Sequence, residues 1–254
     1  MSQPTETPHS ISASRLPDRT DPVVVAMAAD DAMLSLATRG IATFRIYSWD
    51  GPQLSLGYFQ TESVRFSMGH SPPDTIRPWA RRSTGGESLL HHHEWTYAFA
   101  LPPGHPLSGQ TTRLPLLIHD AIARGLANLG YSATLHEGDD HYVDRSGLCF
   151  QHLTPGDLLV GSNKVMGSAQ RKRKGAVLQH GGLLWKQSEV ESRLPGLADI
   201  QPDLRLPDVD AFAGWITSVI GPVQQASKVV VEEWEKEHQL SLAQHQSNDW
   251  LLKR

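Results

Sequence analysis

The sequence "DRSGLCF" contains Cys149, the single cysteine among 254 residues. A thiol of this kind has two readings: a small buried apolar side chain, or a nucleophile that attacks an acyl carbonyl and later leaves from it. Downstream, Lys164 opens a strand just after the tight turn "GSN", a position that can aim an ammonium into a cleft instead of bulk water. The densest polar stretch is "RRSTGGESLLHHH". There Gly85 and Gly86 would let backbone approach a ligand closely, and Arg81 and Arg82 could meet anionic groups. An ordinary glycine turn between strands explains the same pair.

The triplet His91, His92 and His93 raises a metal site. Adjacent strand residues point to opposite faces, so at most His91 and His93 would share one, and three converging ligands are not expected. The reading is one pocket-lining histidine with solvated neighbours and no metal. G-x-x-x-x-G-K-[ST], G-x-G-x-x-G and G-x-S-x-G are all missing from the sequence, which removes support for those nucleotide sites and for a serine elbow. Arg171 to Lys174 form a basic run at a hairpin, read either as a solvated turn or as a contact for an acidic protein.

These residues need elements to position them. "VVVAMAADDAMLSLATRG" reads as a β-rich start running into a short helix, with Met27, Ala28, Leu34 and Ala37 toward a core and Gly40 as its stop. "ATFRIYSW" and "LSLGYF" are strands around the turn "DGPQ", "SMGHSPPDTIRP" is a loop, and "EWTYAFAL" is a strand. Ile118, Ile122, Leu126 and Leu129 recur at helical spacing, giving an apolar stripe for covering a sheet. From Asp157 to Trp185 the pattern is a meander, with alternation placing Lys164, Met166, Ser168 and Gln170 on one face. Residues 187–210 read as irregular, and "GWITSVI" and "ASKVVVEEWEKEHQL" as helices. Interleaved strands and helices give an α+β class with a mixed or largely antiparallel sheet.

Composition fits a globular chain, with 39% hydrophobic and 20% charged residues. A net charge of -4 provides no basic footprint for nucleic acid. One cysteine excludes an internal disulfide and Cys-rich zinc frameworks, which suits a reducing compartment. No stretch of about 18 apolar residues and no apolar leader core occurs, so a cytoplasmic protein with no membrane partner is expected. The Ser-, Thr- and Pro-rich residues 1–22 read as a disordered tail.

Five stretches in order resemble the lipoate–protein ligase and octanoyltransferase superfamily, related in fold to biotin–protein ligases: "MAADDAML", "ATFRIYSWDGPQLSLGYFQ", "RRSTGG" followed by His91, "EWTYAFA", and "NKVMGSAQRKRKGAVLQHGGLLW". The resemblance covers about residues 23–190. It implies an α/β (α+β) domain of the class II aminoacyl-tRNA synthetase and biotin–lipoate ligase type, with a mixed, mostly antiparallel central sheet flanked by helices. Residues 191–254 would be a helical extension of that domain. The "CF" pair ahead of the motif lysine resembles the cysteine-dependent octanoyl-[acyl carrier protein]:protein N-octanoyltransferase branch.

By that resemblance Cys149 takes an octanoyl group from acyl carrier protein as a thioester and passes it to a lysine of a lipoyl domain or of glycine-cleavage H protein. Lys164 would donate to the acyl carbonyl. Arg82, Thr84, Gly85, Gly86, His91, Gly167, Ser168, Ala169 and His180 would form the substrate pocket. This reading needs no cofactor. The alternatives are a lipoate–protein ligase using ATP and magnesium through an adenylate, and a non-catalytic acyl-carrier or lipoyl-domain binding protein. Glu87 and His92 depart from the family pattern, and a carboxylate at 87 would repel an anionic adenylate.

Overall fold

The computed structural model describes residues 11–64, 78–143 and 148–253. The loop expected at 67–78 lies almost wholly outside them. Helix α1 (Val23–Ala37) is apolar nearly all round, the pattern of a helix covered on both sides. One side meets the sheet and the other the long helix α5 (Lys228–His245), whose Trp234 is buried among the α1 side chains. The expected β-rich start at Val23 is therefore helix from its first residue, and Val23 N–H donates to Gln53 Oε1. Met27, Ala28, Leu34 and Ala37 are buried, and Gly40 takes the positive φ that ends the segment.

The large sheet runs in the order β14 (Val223–Gln225), β1 (Ala13–Arg15), β3 (Thr43–Ser48), β7 (Glu94–Leu101), β13 (Ala176–Leu184), β12 (Asn163–Arg173), β11 (Leu158–Val160) and β8 (Ala133–Leu135), with β2 (Arg19–Thr20) also on β3. From β3 to β8 every pairing is antiparallel, whereas β14, β1 and β2 join in parallel. The mixed, mostly antiparallel sheet expected from the sequence is present. The expected tail is corrected in part: Ala13–Arg15 form a strand between β14 and β3, since the neighbouring edges supply backbone partners that composition does not reveal.

Strand β7 shows how the two faces divide. Tyr97, Phe99 and Leu101 point into one core with helices α2 (Leu114–Asn128) and α4 (Val209–Ile220), and Ala98 and Ala100 into the other, where α1 packs closely. Ile118, Ile122 and Leu126 form the stripe of α2 expected from their spacing. A short helix α3 (Leu197–Ile200) interrupts the segment expected to be irregular, and helix α6 (Asn248–Leu251) follows α5. Strands β12 and β13 close on Lys174 and Gly175, both at positive φ, as a two-residue hairpin requires.

A second sheet, β5 (Trp79–Arg81), β4 (Gln53–Leu56) and β6 (Leu89–His91), shares a small apolar core with Leu148, Phe150 and Leu184. Strands β9 (His141–Tyr142) and β10 (His152–Leu153) make a separate pair next to it. Among the described residues no helix is long and apolar enough to cross a membrane.

Candidate active site

Cys149 opens a single 3-10 turn, Cys149–Gln151, beside the small sheet. Its N–H donates to the Ser88 carbonyl at 2.8 Å, which hangs the cysteine on the residue that follows Glu87. Phe150 fills the apolar core behind it, while the thiol is half-buried.

Lys164 reaches the same turn from β12. Its Nζ lies 3.8 Å from Cys149 Sγ, donates to the carbonyls of Cys149 (3.1 Å) and His152 (2.8 Å), and pairs with Asp157 Oδ2 at 2.6 Å. Burial alone would lower the Lys164 pKa, but attraction to Cys149 and to the Asp157 carboxylate outweighs it and holds the pKa up. The lysine therefore remains an ammonium.

The face expected for Lys164 needs correction. The register slips between Leu158 and Leu159, so Val165 is an extra residue on β12. A Cβ built on Gly167 would sit 3.0 Å from the Lys164 side chain, whereas Met166 lies in the core. The bulge thus puts Lys164 on the Gly167 face, not that of Met166 and Ser168.

A narrow groove, partly open to solvent, runs past the thiol, with a mostly apolar lining. Its sides include Met27, Leu89 and Phe150, and Gly167, Ser168, Ala169, Gly181 and Gly182 of the paired strands β12 and β13 line it with little or no side chain. Arg82, Gly86, His91, His180 and Cys149 also line it.

Arg82 is buried, and among the described residues its guanidinium meets no carboxylate. It donates to Ser55 Oγ and to the carbonyls of Ser55, Gly85 and Glu87, and its Nε is buried without a partner. Burial lowers its pKa to about 10, and attraction to Cys149 works against that shift. Gly86, at positive φ, lets the chain turn beneath this guanidinium. Arg81 faces elsewhere, donating to the carbonyls of Gly57, Trp250 and Leu251, and so fastens the C-terminal turn to the small sheet.

Both histidines of the groove sit in buried chains. His180 hydrogen-bonds Asp30 Oδ2 and Thr84 Oγ1, each at 2.7 Å, and Asp30 Oδ1 accepts from Arg45. His91 hydrogen-bonds Glu94 Oε1 at 2.7 Å and Ser55 Oγ at 2.8 Å, and stacks on Trp49 at 4.0 Å. Burial would raise both carboxyl pKa values, yet both are held below the usual range, Asp30 by Arg45 and His180 and Glu94 by His91 and hydroxyl and indole donors.

The other two histidines of the triplet correct the expected pairing of faces. The triplet spans the end of β6 and a turn, so strand alternation does not apply to it. His91 enters the groove, whereas the rings of His92 and His93 stack on each other at 3.7 Å.

Gly85 approaches Phe59, and Glu87 points away from the groove: its Oε1 accepts from the Tyr142 hydroxyl at 2.8 Å and its Oε2 lies 3.7 Å from His152 Nδ1. Sequence reasoning named neither Asp157, which holds Lys164, nor Asp30, Arg45 and Glu94. Asp30 and Asp31 did carry a signal, because two carboxylates inside an apolar helix must find buried partners.

Architecture places the chain among proteins with the lipoate–protein ligase fold. A lipoate-protein ligase A bound with ATP superposes with a TM-score of 0.69 at 19% identity, covering 94% of this chain and 98% of that one. The bipartite lipoate protein ligase of Thermoplasma acidophilum, solved with its E2 lipoyl domain, gives 0.67 at 16%, covering 96% and 97%. The chain belongs to the lipoyl protein ligase A/B catalytic domain family, whose model matches residues 22–195. Among curated proteins it is similar to the octanoyltransferase LipM of Kyrpidia tusciae, 34% identical over 172 residues, covering 62% of this chain and 60% of the relative. LipM of Carboxydothermus hydrogenoformans is 39% identical over 165 residues, covering 63% and 60%. The chain thus matches about 60% of the length of these relatives.

Proposed function

We propose that this protein is an acyltransferase that moves an octanoyl (or lipoyl) group from a carrier thioester to a lysine of lipoyl domains or glycine-cleavage H protein, through a thioester on Cys149. The observation that carries the reading is the half-buried thiol beside the Lys164 ammonium, at the wall of an apolar groove that is also lined by the buried Arg82, which meets no carboxylate among the described residues. The similarity to octanoyltransferases supports the choice of acyl group.

In the first step the Cys149 thiolate attacks the carbonyl carbon of octanoyl-acyl carrier protein. The C–S bond to the carrier breaks, and the carrier thiolate leaves and takes a proton. In the second, the deprotonated lysine amine of the acceptor attacks the enzyme thioester, the C–S bond breaks, and the proton lost by the nitrogen passes to the departing sulfur or to water, leaving the amide and free Cys149. One thioester replaces another, so no nucleotide is needed.

Negative charge gathers first on sulfur and then on the carbonyl oxygen. Among the described residues Arg82 Nε–H is a buried donor with no partner, and Arg82 lines the groove, so a small shift of its side chain would offer that N–H to the oxygen. Lys164 acts through its charge, because Asp157 and two carbonyls already accept from it. Full burial of the seven alkyl carbons of an octanoyl chain would contribute at most about 6 kcal/mol toward holding it.

Intact-protein mass spectrometry after mixing with octanoyl-acyl carrier protein, without ATP, tests the reading. A hydroxylamine-labile octanoyl adduct on the wild type and none on Cys149→Ala is expected; no adduct on either would refute it. The ligase reading gains one point from the structure, since the Glu87 carboxylate is turned toward Tyr142 and away from the groove, which weakens its repulsion of an adenylate. Lipoate-dependent exchange between ATP and pyrophosphate that survives Cys149→Ala would establish the ligase instead.

A further inference from the structure

Outside the groove, His92, His93 and Glu189 converge where the turn before β7 meets the loop after β13. One ligand atom from each lies within 4.8 Å of the others, and among the described residues no other set of three such side chains does this. Glu189 Oε2 is 3.5 Å from His92 Nδ1, and Oε1 is 3.3 Å from His93 Nε2. Ligands held about 2.0–2.1 Å from a tetrahedral ion are about 3.3–3.4 Å from each other; each imidazole nitrogen is already about that far from one of the two Glu189 oxygens, and the three donor atoms need close only from within 4.8 Å. The backbone keeps the two segments in register: the N–H groups of Trp185 and Lys186 donate to the His93 carbonyl, at 3.0 and 3.4 Å. The Trp185 ring packs on His93 at 4.8 Å, and the two imidazoles stack, so little side-chain freedom is left to lose.

We propose that His92, His93 and Glu189 bind a divalent transition metal of the zinc class, which fastens the 91–94 turn to the 185–191 loop. Two imidazoles and one carboxylate form a donor set for a borderline ion and leave a fourth position open to water. None of the three side chains lines the groove, so the ion is distinct from the thiol chemistry. Glu189 is 65% exposed, giving the ion a way in from solvent.

Two contacts must give way. Ser188 Oγ lies 2.9 Å from His92 Nδ1, and Lys186 Nζ lies 3.8 Å from Glu189 Oε1, where it competes as a cation for the same carboxylate. Removing the lysine charge therefore favours the metal, an effect opposite in sign to removing a ligand.

The test is zinc binding to untagged protein, by competition with a chromophoric chelator, in the wild type and in Cys149→Ser. One equivalent bound at micromolar free zinc or below, equally in both, is expected. His92→Ala, His93→Ala and Glu189→Gln should each weaken it by about tenfold or more, and Lys186→Met should tighten it severalfold. At a hundredfold excess over Kd, zinc should raise Tm by about 5–10 °C in the wild type and not in Glu189→Gln. Glu189 is exposed, so that variant keeps the test valid should either histidine variant melt early. No tight equivalent, or one lost in Cys149→Ser and kept in Glu189→Gln, would overturn the proposal.

Discussion

Replacing Lys164 with Met removes the ammonium that contacts the thiol while retaining much of the side-chain volume. At the observed 3.8 Å, and with an effective dielectric constant of about 20, a unit positive charge favours a unit negative charge on sulfur by about 4 kcal/mol, or about a thousandfold. That figure is a ceiling, since water admitted by the shorter side chain recovers part of it. The Asp157 carboxylate left behind acts in the same direction, disfavouring a second negative charge nearby. The rate of Cys149 alkylation by iodoacetamide at pH 7, followed by intact mass, should fall by at least about tenfold. A change of less than about threefold would refute the electrostatic role. Stability must be separated from reactivity, because breaking a buried pair from one side costs about 3–5 kcal/mol. The double variant Asp157→Asn with Lys164→Met removes both charges; it should regain much of the lost Tm and little of the alkylation rate.

A Cβ on Gly57 would lie 1.8 Å from the Gly86 carbonyl oxygen, a backbone atom that cannot swing aside. Gly57→Ala should therefore cost about 3 kcal/mol, a fall in Tm of about 6–12 °C read by calorimetry, and an unshifted Tm would contradict the close approach. Glu87→Ala removes the acceptor of the Tyr142 hydroxyl and should cost about 1 kcal/mol, with faster amide exchange at residues 141–143 than in the wild type. Stability should fall with acidity in two stages. Burial pushes His105, His119 and His238 below the ordinary histidine value, so the unfolded chain takes up protons first and stability begins to drop below about pH 6.5. Asp30 and Glu94 are held below the carboxylate range, so their contribution, complete above about pH 4, is lost as pH falls further. A Tm that rises from pH 7 to pH 5 would contradict this sign.

The apolar stripe of α2 and the β12–β13 hairpin were legible because each follows a local period, with burial on one side. Helix α1 was legible only in its core residues: buried on both faces, its run "VVVAMA" has no amphipathic rhythm to distinguish it from a strand. Ala13–Arg15 were illegible, since their order comes from strands about 30 and 210 residues away. The spacing of Cys149 and Lys164 suggested a site through resemblance, but Asp157 did not, as its role depends on the Val165 bulge that turns Lys164 toward it. His92 and His93 were misread for the same kind of reason: the strand ends at His91, and the period of two ends with it.

Both buried charge chains end on one segment. Arg45, Asp30, His180 and Thr84 run from beneath α1 to the residue before Gly85, and Glu94, His91 and Ser55 run from β7 to the Arg82 guanidinium. Each histidine has both ring nitrogens engaged, so in this arrangement it fixes geometry and has no nitrogen free to take a proton from substrate. Because Cys149 hangs on Ser88, at the end of that segment, the two chains also fix the thiol. The chains should nevertheless fail differently. Asp30→Asn strands the buried Arg45 without its carboxylate and should cost about 3–5 kcal/mol in stability. Glu94→Gln keeps an acceptor for Trp49 and Thr96 and, among the described residues, strands no buried arginine or lysine, so its Tm should move far less. The informative readout for Glu94→Gln is the rate of adduct formation on Cys149 at a Tm near that of the wild type. An unchanged rate would mean that His91 and Ser55 hold Arg82 without help from the carboxylate, and that the second chain begins at the imidazole.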